Sequence, residues 1–265
     1  MKGLHTEIKI CGITRLEDAL CAAACGADAV GFIFHPASPR CTTPDRARSI
    51  IARLPQGIVT VGVFVNQAKE TVEKTVEACG IDLIQLHGDE APAYCLHFPP
   101  ERVIKAVSPR TPGELRSLDA YRVRAFLIDR RDQSRYGGTG KLADWSLAAE
   151  LRRMRPLILA GGLNPGNIEE ALAVVMPQAV DINSGCESAP GIKDHALMQL
   201  MIGMIRRATR EKNRSGKEPG ANAVFDTCVK NAFHPPAGGI NGSSPRLAGG
   251  EQGEREAHRK GKMNP

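Results

Sequence analysis

Short apolar segments alternate with amphipathic stretches along most of the chain. Eight segments are rich in apolar residues, and most of them are apolar without a break: residues 8–10, 29–34, 58–65, 83–86, 103–107, 125–128, 157–160 and 179–182. Continuous apolar runs of this length are typical of parallel strands that are covered on both faces. The pattern therefore predicts eight parallel strands.

Helix-compatible stretches follow these segments. They cover 16–25, 44–54, 68–79, 144–154, 166–175 and 195–208, with weaker patterns over 91–98 and 111–121. Thr14 with Glu17 three residues later indicates a capping box for the first helix, and Thr43 before Pro44 marks the start of the second. Eight successive β-then-α units predict an α/β fold, a closed (β/α)8 (TIM) barrel that forms a single domain over residues 1–210. The alternative is an open doubly wound sheet, but eight consecutive units fit a closed barrel better.

The composition changes after Arg210. Residues 211–265 are rich in Gly, Pro, Asn, Ser and charge, which predicts a disordered basic tail in which only 223–225 and 229–233 suggest order. The net charge of +6 lies wholly after Ile205, where 12 Lys and Arg accompany 6 Asp and Glu, whereas residues 1–205 carry 23 of each sign. The neutral body excludes the basic surface of a nucleic-acid-binding protein. A basic arm that grips an anionic partner remains an alternative for the tail.

The cysteines and the apolar runs of the sequence indicate the cellular compartment of the protein. No run approaches the roughly 18–20 apolar residues of a membrane span, and residues 1–7 lack the apolar region of a signal peptide. We therefore expect a cytoplasmic protein whose eight cysteines are reduced. Cys21 and Cys25, four residues apart on a predicted helix, are more readily explained as core residues than as ligands, and no metal site is predicted.

Chemically competent side chains end two of the predicted strands. Active sites of (β/α)8 barrels lie at the carboxyl ends of the strands and in the loops that follow them. Cys11 ends the first strand and Asp129 ends the sixth. A thiol with a lowered pKa acts as a nucleophile or a base, and a nearby carboxyl supplies the second member of an acid/base pair. The alternatives are an inert buried cysteine and an aspartate that caps its own loop.

The loops after the last two predicted strands have the composition of a phosphate site. One loop contains Gly161 and Gly162, and the other contains Ser184 and Gly185. These small residues allow the backbone to approach an anion closely, and phosphate sites of such barrels use these two loops. Their presence in both loops favours phosphate binding over a purely steric role.

Four further polar side chains are predicted near the same end of the barrel. Arg40 follows a proline-stiffened loop and is placed to clamp a substrate carboxylate, although a solvated surface arginine fits equally well. Gln85 and His87 share one face of strand four and line the pocket, unless His87 is satisfied within the core. Asp181 points into the barrel from strand eight, where it either binds a sugar hydroxyl or ties the strands together.

Motifs spread in order over residues 9–208 carry a family resemblance. They are KICGIT at 9–14, GADAVGF at 26–32, VGVFVN at 61–66, QLHG at 85–88, YGGTGK at 136–141, AGGLNP at 160–165 and SGCE at 184–187, followed by PG at 190–191 and KD at 193–194. Together they resemble phosphoribosylanthranilate isomerases. The resemblance implies an enzyme of tryptophan biosynthesis that converts N-(5-phosphoribosyl)anthranilate to 1-(o-carboxyphenylamino)-1-deoxyribulose 5-phosphate by an Amadori rearrangement, without a cofactor or a metal.

The resemblance also implies roles for residues of this sequence. Cys11 is the general base that removes the sugar C2 proton, and Asp129 is the general acid that protonates the ring oxygen. Arg40 meets the anthranilate carboxylate, while Ser184 and the glycines of the last two loops hold the phosphate. The expected partner is this small phosphorylated substrate, with no nucleic acid and no membrane, and the expected oligomeric state is a monomer or a homodimer.

Three features depart from the family pattern, and two rival functions remain. The departures are Arg130 beside Asp129, Cys186 in place of an aliphatic residue, and the tail after Arg210. A related phosphosugar isomerase or epimerase, such as the histidine-pathway isomerase, resembles this chain in its phosphate loops but uses a carboxylate at strand one, so Cys11 argues against it. A non-catalytic scaffold that binds through the basic tail is the rival from another class.

Overall fold

Eight parallel strands close into a barrel in chain order. The computed structural model describes residues 5–129, 145–214 and 223–225. The barrel strands are β1 (Glu7–Ile10), β2 (Ala29–Ile33), β3 (Val59–Phe64), β4 (Leu83–Leu86), β5 (Val103–Val107), β6 (Ala125–Ile128), β7 (Leu157–Leu159) and β8 (Ala179–Ile182). Strand β1 pairs with both β2 and β8, and Lys9 lies opposite Ala29 on one side and Asp181 on the other. The predicted closed barrel is confirmed, and the open-sheet alternative is wrong.

Helices separate the strands along the chain. They are α1 (Leu16–Cys25), α2 (Pro44–Ile51), α3 (Lys69–Cys79), α4 (Pro92–Cys95), α5 (Pro112–Ser117), α6 (Trp145–Met154), α7 (Ile168–Val175) and α8 (His195–Arg214). The Thr43 hydroxyl accepts a hydrogen bond from the Arg46 amide at 3.3 Å and caps α2, as predicted. The predicted capping box of α1 is wrong, because Arg15 rather than Thr14 is the N-cap and no side chain caps the helix. The Thr14 hydroxyl donates to the Gly191 carbonyl at 2.5 Å.

A short hairpin that the sequence pattern did not predict follows β8. A 3-10 turn, Ser184–Cys186, leads into β9 (Glu187–Ala189), which pairs in antiparallel orientation with β10 (Ile192–Lys193). Gly191 turns the chain between these strands with a φ of 80°, a conformation that glycine adopts without steric cost. The hairpin lies at the carboxyl ends of the barrel strands, and it brings charged side chains to them.

The barrel interior changes from apolar to polar along its axis. Towards the amino ends of the strands, the side chains that fill the interior are apolar, and they include Ala29, Val59, Leu83, Ala125 and Ile158. Towards the carboxyl ends of the strands, the buried side chains include Lys9, Gln85 and Asp181, which are polar. Burying polar groups is costly unless they are paired or used. The polar end is therefore the end to search for function; we call it the mouth, and the opposite end the floor.

Part of the predicted tail is ordered. Helix α8 continues to Arg214, past the predicted boundary at Arg210, and Val224 and Phe225 are buried against the apolar interior of the barrel. Residues 223–225 are among the few tail residues for which the sequence suggests order, and their two apolar side chains find a preformed apolar surface at the floor. The remainder of the predicted tail, residues 215–222 and 226–265, lies outside the described residues.

Candidate active site

Cys11 follows directly on β1 and lies at the mouth. Its amide donates to the Ile182 carbonyl of β8 at 2.8 Å, which fixes the backbone against the neighbouring strand. The thiol is buried and forms a small cluster with Ile33 and Val63. Beside it, an alanine at position 31 would place its Cβ 2.9 Å from the Cys11 sulfur, so Gly31 provides the space that the thiol occupies.

A buried ion pair lies next to the thiol. Lys9 Nζ donates to Asp181 Oδ2 at 2.8 Å, and the Lys9 side chain is completely buried. Within the described part of the chain, the second carboxylate oxygen, Oδ1, is buried without a hydrogen-bond partner. A buried acceptor of this kind is costly unless a ligand or water satisfies it. The predicted inward orientation of Asp181 agrees with this position.

Competing influences act on the pKa values of this cluster. Burial raises the pKa of the Cys11 thiol, and the nearby Asp181 carboxylate raises it further, whereas the ammonium groups of Lys9 and Lys193 lower it; the net pKa is raised. Burial acts to lower the pKa of Lys9, but Asp181 and Cys11 outweigh it and raise that pKa. Lys9 therefore stays cationic across the pH range in which enzymes work.

A chain of polar side chains joins β4 to β6 across the mouth. Gln85 Nε2 lies 2.9 Å from His87 Nδ1, and His87 Nε2 lies 3.4 Å from Asp129 Oδ2. Asp129 follows β6, and its carbonyl accepts a hydrogen bond from the Ser108 hydroxyl. Gln85 Oε1 is buried without a partner among the described residues. The structure thus connects Gln85, through His87, to the Asp129 carboxyl, and all three are predicted site residues.

Cys11 and Asp129 approach the mouth from different sides. They end β1 and β6, between which β7 and β8 lie in the closed barrel. A thiol and a carboxyl in this arrangement can exchange protons with opposite ends of a small molecule that lies between them.

Arg40 lies at the mouth but is already engaged. Its Nε and Nη2 atoms donate to the Glu187 carboxylate at distances of 2.7 to 3.0 Å, and Lys193 Nζ contacts the same carboxylate at 2.9 Å. Burial acts to raise the pKa of Glu187, but hydrogen bonds from Arg40 and the charge of Lys193 outweigh it and lower that pKa. Lys193 Nζ also donates to the carbonyl and the side-chain oxygen of Asn183, at 2.9 and 3.1 Å.

This network holds residues that the sequence analysis did not select. Glu187 and Lys193 lie on the unpredicted hairpin, and Asn183 follows β8. An alanine at position 12 would meet the Asn183 side chain at 2.6 Å and the Arg40 side chain at 2.9 Å, so both approach the residue after Cys11. One sequence signal could have found them, because acidic Glu187 and basic Lys193 flank the turn at Gly191.

The loops after β7 and β8 pack directly on each other. Gly161 and Gly162 both have positive φ, 83° and 69°, in a turn that other residues rarely adopt. A Cβ on Gly185 would lie 1.8 Å from the Leu163 carbonyl oxygen, so only glycine permits this contact between the loops. Ser184 begins the 3-10 turn beside it. The four residues predicted to bind phosphate are therefore brought to one place.

Clusters of metal ligands and membrane-spanning helices are both absent from the described residues. No three His, Cys, Asp or Glu side chains there come together as metal ligands, and Cys21 and Cys25 have their sulfur atoms 3.9 Å apart on α1. No helix of the described part combines the length and the apolar character needed to cross a bilayer.

Comparison with known proteins identifies the family. The family model described as N-(5'-phosphoribosyl)anthranilate isomerase matches residues 8–203. A relative of that name from Syntrophus aciditrophicus is 53% identical over 223 residues, which cover 83% of this chain and 97% of the relative.

Solved structures of proteins with the same family name also match this chain. Monomers of the dimeric phosphoribosylanthranilate isomerase from Thermotoga maritima match with a TM-score of 0.68 and 39% identity, covering 76% of this chain and 99% of theirs. A phosphoribosyl anthranilate isomerase in complex with reduced 1-(o-carboxyphenylamino)-1-deoxyribulose 5-phosphate matches with a TM-score of 0.65 and 40% identity, covering 80% and 99%. The chain therefore belongs to the N-(5'-phosphoribosyl)anthranilate isomerase family.

Proposed function

We propose that Cys11 and Asp129 are the general base and the general acid of the family reaction. Family membership makes this chain an isomerase of tryptophan biosynthesis. The observation that carries the assignment is that a thiol and a carboxyl end two non-adjacent strands and face one mouth. An aldose-to-ketose isomerisation requires a base on one side of the sugar and an acid on the other.

The proposed steps conserve all atoms of the substrate. Asp129 donates its proton to the ring oxygen of N-(5-phosphoribosyl)anthranilate as the C1–O bond breaks, which leaves a protonated imine between C1 and nitrogen. The Cys11 thiolate removes the C2 proton, and the electron pair of that C–H bond forms the C1–C2 double bond of an enolamine. Ketonisation at C2, with a proton returned to C1, gives the deoxyribulose product. The contact with His87 holds the Asp129 carboxyl in place.

The two ends of the substrate are proposed to be anchored by different groups at the mouth. Glu187 fixes the Arg40 guanidinium through Nε and Nη2, so Nη1 is the nitrogen proposed to meet the anthranilate carboxylate. The tightly packed loops that contain Gly161, Gly162, Ser184 and Gly185 are proposed to hold the phosphate, since small residues and backbone amides suit an anion there.

Two buried acceptors complete the proposed substrate site. Gln85 Oε1 and Asp181 Oδ1 are buried and lack a partner among the described residues, so substrate hydroxyls are proposed to satisfy them. The predicted absence of a cofactor remains a prediction. A homodimer is proposed because the relative from Thermotoga maritima is described as dimeric.

The purified chain is expected to convert N-(5-phosphoribosyl)anthranilate, followed by the fluorescence of the anthranilate group. Asp129→Asn keeps the shape but cannot donate a proton, so kcat should fall by about 10²- to 10⁴-fold while KM changes little. Asp119→Asn, an exposed position in a 3-10 turn, is the matched control and should retain wild-type turnover. Turnover of the histidine-pathway substrate but not of the anthranilate substrate would overturn the proposal, and full activity of Asp129→Asn would remove the acid role.

A further inference from the structure

Lys9 is a buried cation at the mouth, and it has no role in the proposed mechanism. Its side chain is completely buried in the interior of the barrel, where an unpaired cation would be very costly. The pair with Asp181 at 2.8 Å joins β1 to β8. Replacing such a pair by apolar residues is often neutral or stabilising, so stability alone is a weak explanation for it.

The ammonium and the thiol border the same small space. A Cβ at position 31 would lie 2.9 Å from the Cys11 sulfur and 3.1 Å from Lys9 Nζ. Gly31 therefore leaves room for both groups, since Lys9 on β1 and Cys11 directly after it are two residues apart on the same side of the backbone. The charged groups that face the sulfur are Lys9 on β1, Asp181 on β8 and Lys193 on β10, and of these only Asp181 opposes ionisation of the thiol.

We propose that Lys9 is a positioning residue for the Cys11 base: its ammonium, fixed by Asp181, lies beside the sulfur and stabilises the thiolate form. The inference deepens the proposed role of Cys11 and rests on it. Because burial raises the pKa of the thiol, a buried cysteine without a neighbouring cation would be protonated and unable to accept the C2 proton. Asp181 has two parts in this arrangement, since Oδ2 holds the lysine and Oδ1 remains for a ligand.

The test compares two variants that change the local charge in opposite directions. In the free enzyme, kcat/KM for the anthranilate substrate should rise with pH as Cys11 ionises. Lys9→Met removes the cation, so this acidic limb should move to higher pH by at least about one unit. Asp181→Asn removes the anion, so the limb should move to lower pH. A merely structural role of the pair would weaken the fold in both variants without moving the two limbs apart.

Alkylation of Cys11 gives a readout that does not require turnover. The rate of its reaction with iodoacetamide, followed by peptide mass spectrometry, reports the thiolate fraction as a function of pH. The pH midpoint should rise in Lys9→Met and fall in Asp181→Asn, even if the proposed isomerase activity fails. If Lys9→Met does not fold, the double variant Lys9→Met/Asp181→Asn replaces it, because this variant leaves neither charge of the pair unpaired. Its pH midpoint should lie above that of Asp181→Asn. Folded variants whose midpoints coincide with wild type would overturn the proposal.

A second inference comes from the opposite end of the barrel. Residues 223–225, here called the floor segment, lie beyond residue 203, where the family match ends. The amides of Val224 and Phe225 donate to Glu7 Oε2 at 2.5 and 2.9 Å, and Arg124 Nε donates to the Val224 carbonyl at 2.5 Å. Both apolar side chains are buried among the residues that begin the barrel strands.

We infer that the floor segment is an intramolecular clamp whose docking site is the floor of the barrel. Glu7 is a buried carboxyl at the first position of β1, and the floor segment supplies the two amides that it accepts. Without the segment, the Glu7 carboxylate would lose both of these hydrogen bonds. The clamp therefore ties a segment outside the family match to the first strand, at the end of the barrel away from the catalytic thiol.

The clamp is tested by stability in the full chain. Phe225→Ala should lower Tm by on the order of 5–10 °C and leave kcat/KM unchanged, because the substitution removes buried packing far from the mouth. Leu96→Ala, at a large apolar residue that is 61% exposed, is the control and should leave Tm unchanged. In wild type, the amides of Val224 and Phe225 should exchange with solvent many-fold more slowly than in an unfolded peptide. Rapid exchange of both amides, or a Tm unaffected by Phe225→Ala, would overturn the inference.

Discussion

Replacing Cys11 with alanine is expected to lower kcat by about 10²- to 10⁴-fold, with KM changed far less. The sulfur lies against Ile33 and Val63, which carry no base, and the nearby Asp181 carboxylate is engaged by Lys9. The proposed anchors of the substrate, at Arg40 and in the loops after β7 and β8, are untouched by the substitution. Steady-state kinetics with N-(5-phosphoribosyl)anthranilate separate the two parameters.

The control for this experiment is another buried cysteine. Cys95 lies on α4, is fully buried, and has a pKa raised to about 11, chiefly by burial. Cys95→Ala removes a thiol of the same size from the core and should leave kcat within a few-fold of wild type. Full turnover in a folded Cys11→Ala variant would show that another group removes the C2 proton. Equal losses in both variants would mean that packing, rather than the chemistry of the thiol, controls turnover.

The barrel was predictable because its strands are covered on both faces. A strand such as β6, Ala125–Ile128, lies between the interior of the barrel and the surrounding helices, so an uninterrupted apolar pattern marks it over its observed length. Strands that are exposed on one face would have given a different pattern. The general rule that catalytic groups lie at the carboxyl ends of barrel strands then selected Cys11 and Asp129 from the many polar residues of the chain.

Contacts between distant parts of the chain account for what the sequence analysis missed. The spacing of Thr14 and Glu17 fits a capping box, but α1 has Arg15 as its N-cap, and the Thr14 hydroxyl donates to the Gly191 carbonyl, 177 residues away. The hairpin of β9 and β10 is too short for its periodicity to be recognised, although Glu187 and Lys193 on it determine how Arg40 is held. No local pattern reports such tertiary partners.

Lys9 illustrates the same limit within a single strand. Along β1 it stands between Ile8 and Ile10, and nothing in that sequence indicates that its charge is matched by Asp181, 172 residues later. Register supplies the missing information, because Lys9 and Asp181 become direct neighbours only when β1 closes the barrel against β8. For the floor segment, the sequence suggests order, but only the folded barrel shows the apolar surface that its two apolar residues cover.

The contact between the last two loops offers a steric test of the proposed phosphate site. Gly185 approaches the Leu163 carbonyl so closely that an added Cβ would lie 1.8 Å from its oxygen. This obstacle is backbone rather than the flexible end of a side chain, so the loops after β7 and β8 must separate to accommodate any other residue. Separated loops would no longer direct their backbone amides at one anion.

Gly185→Ala is therefore expected to raise KM for N-(5-phosphoribosyl)anthranilate by on the order of 10- to 100-fold, as the loss of one charge-assisted hydrogen bond would. The inhibition constant of inorganic phosphate should rise with it, because the phosphate rather than the anthranilate end is affected. Gly203→Ala on α8 is the matched control: nothing lies within 4 Å of the added Cβ, so this substitution should leave KM unchanged and not lower Tm. A folded Gly185→Ala variant with wild-type values of both constants would place the phosphate elsewhere in the barrel.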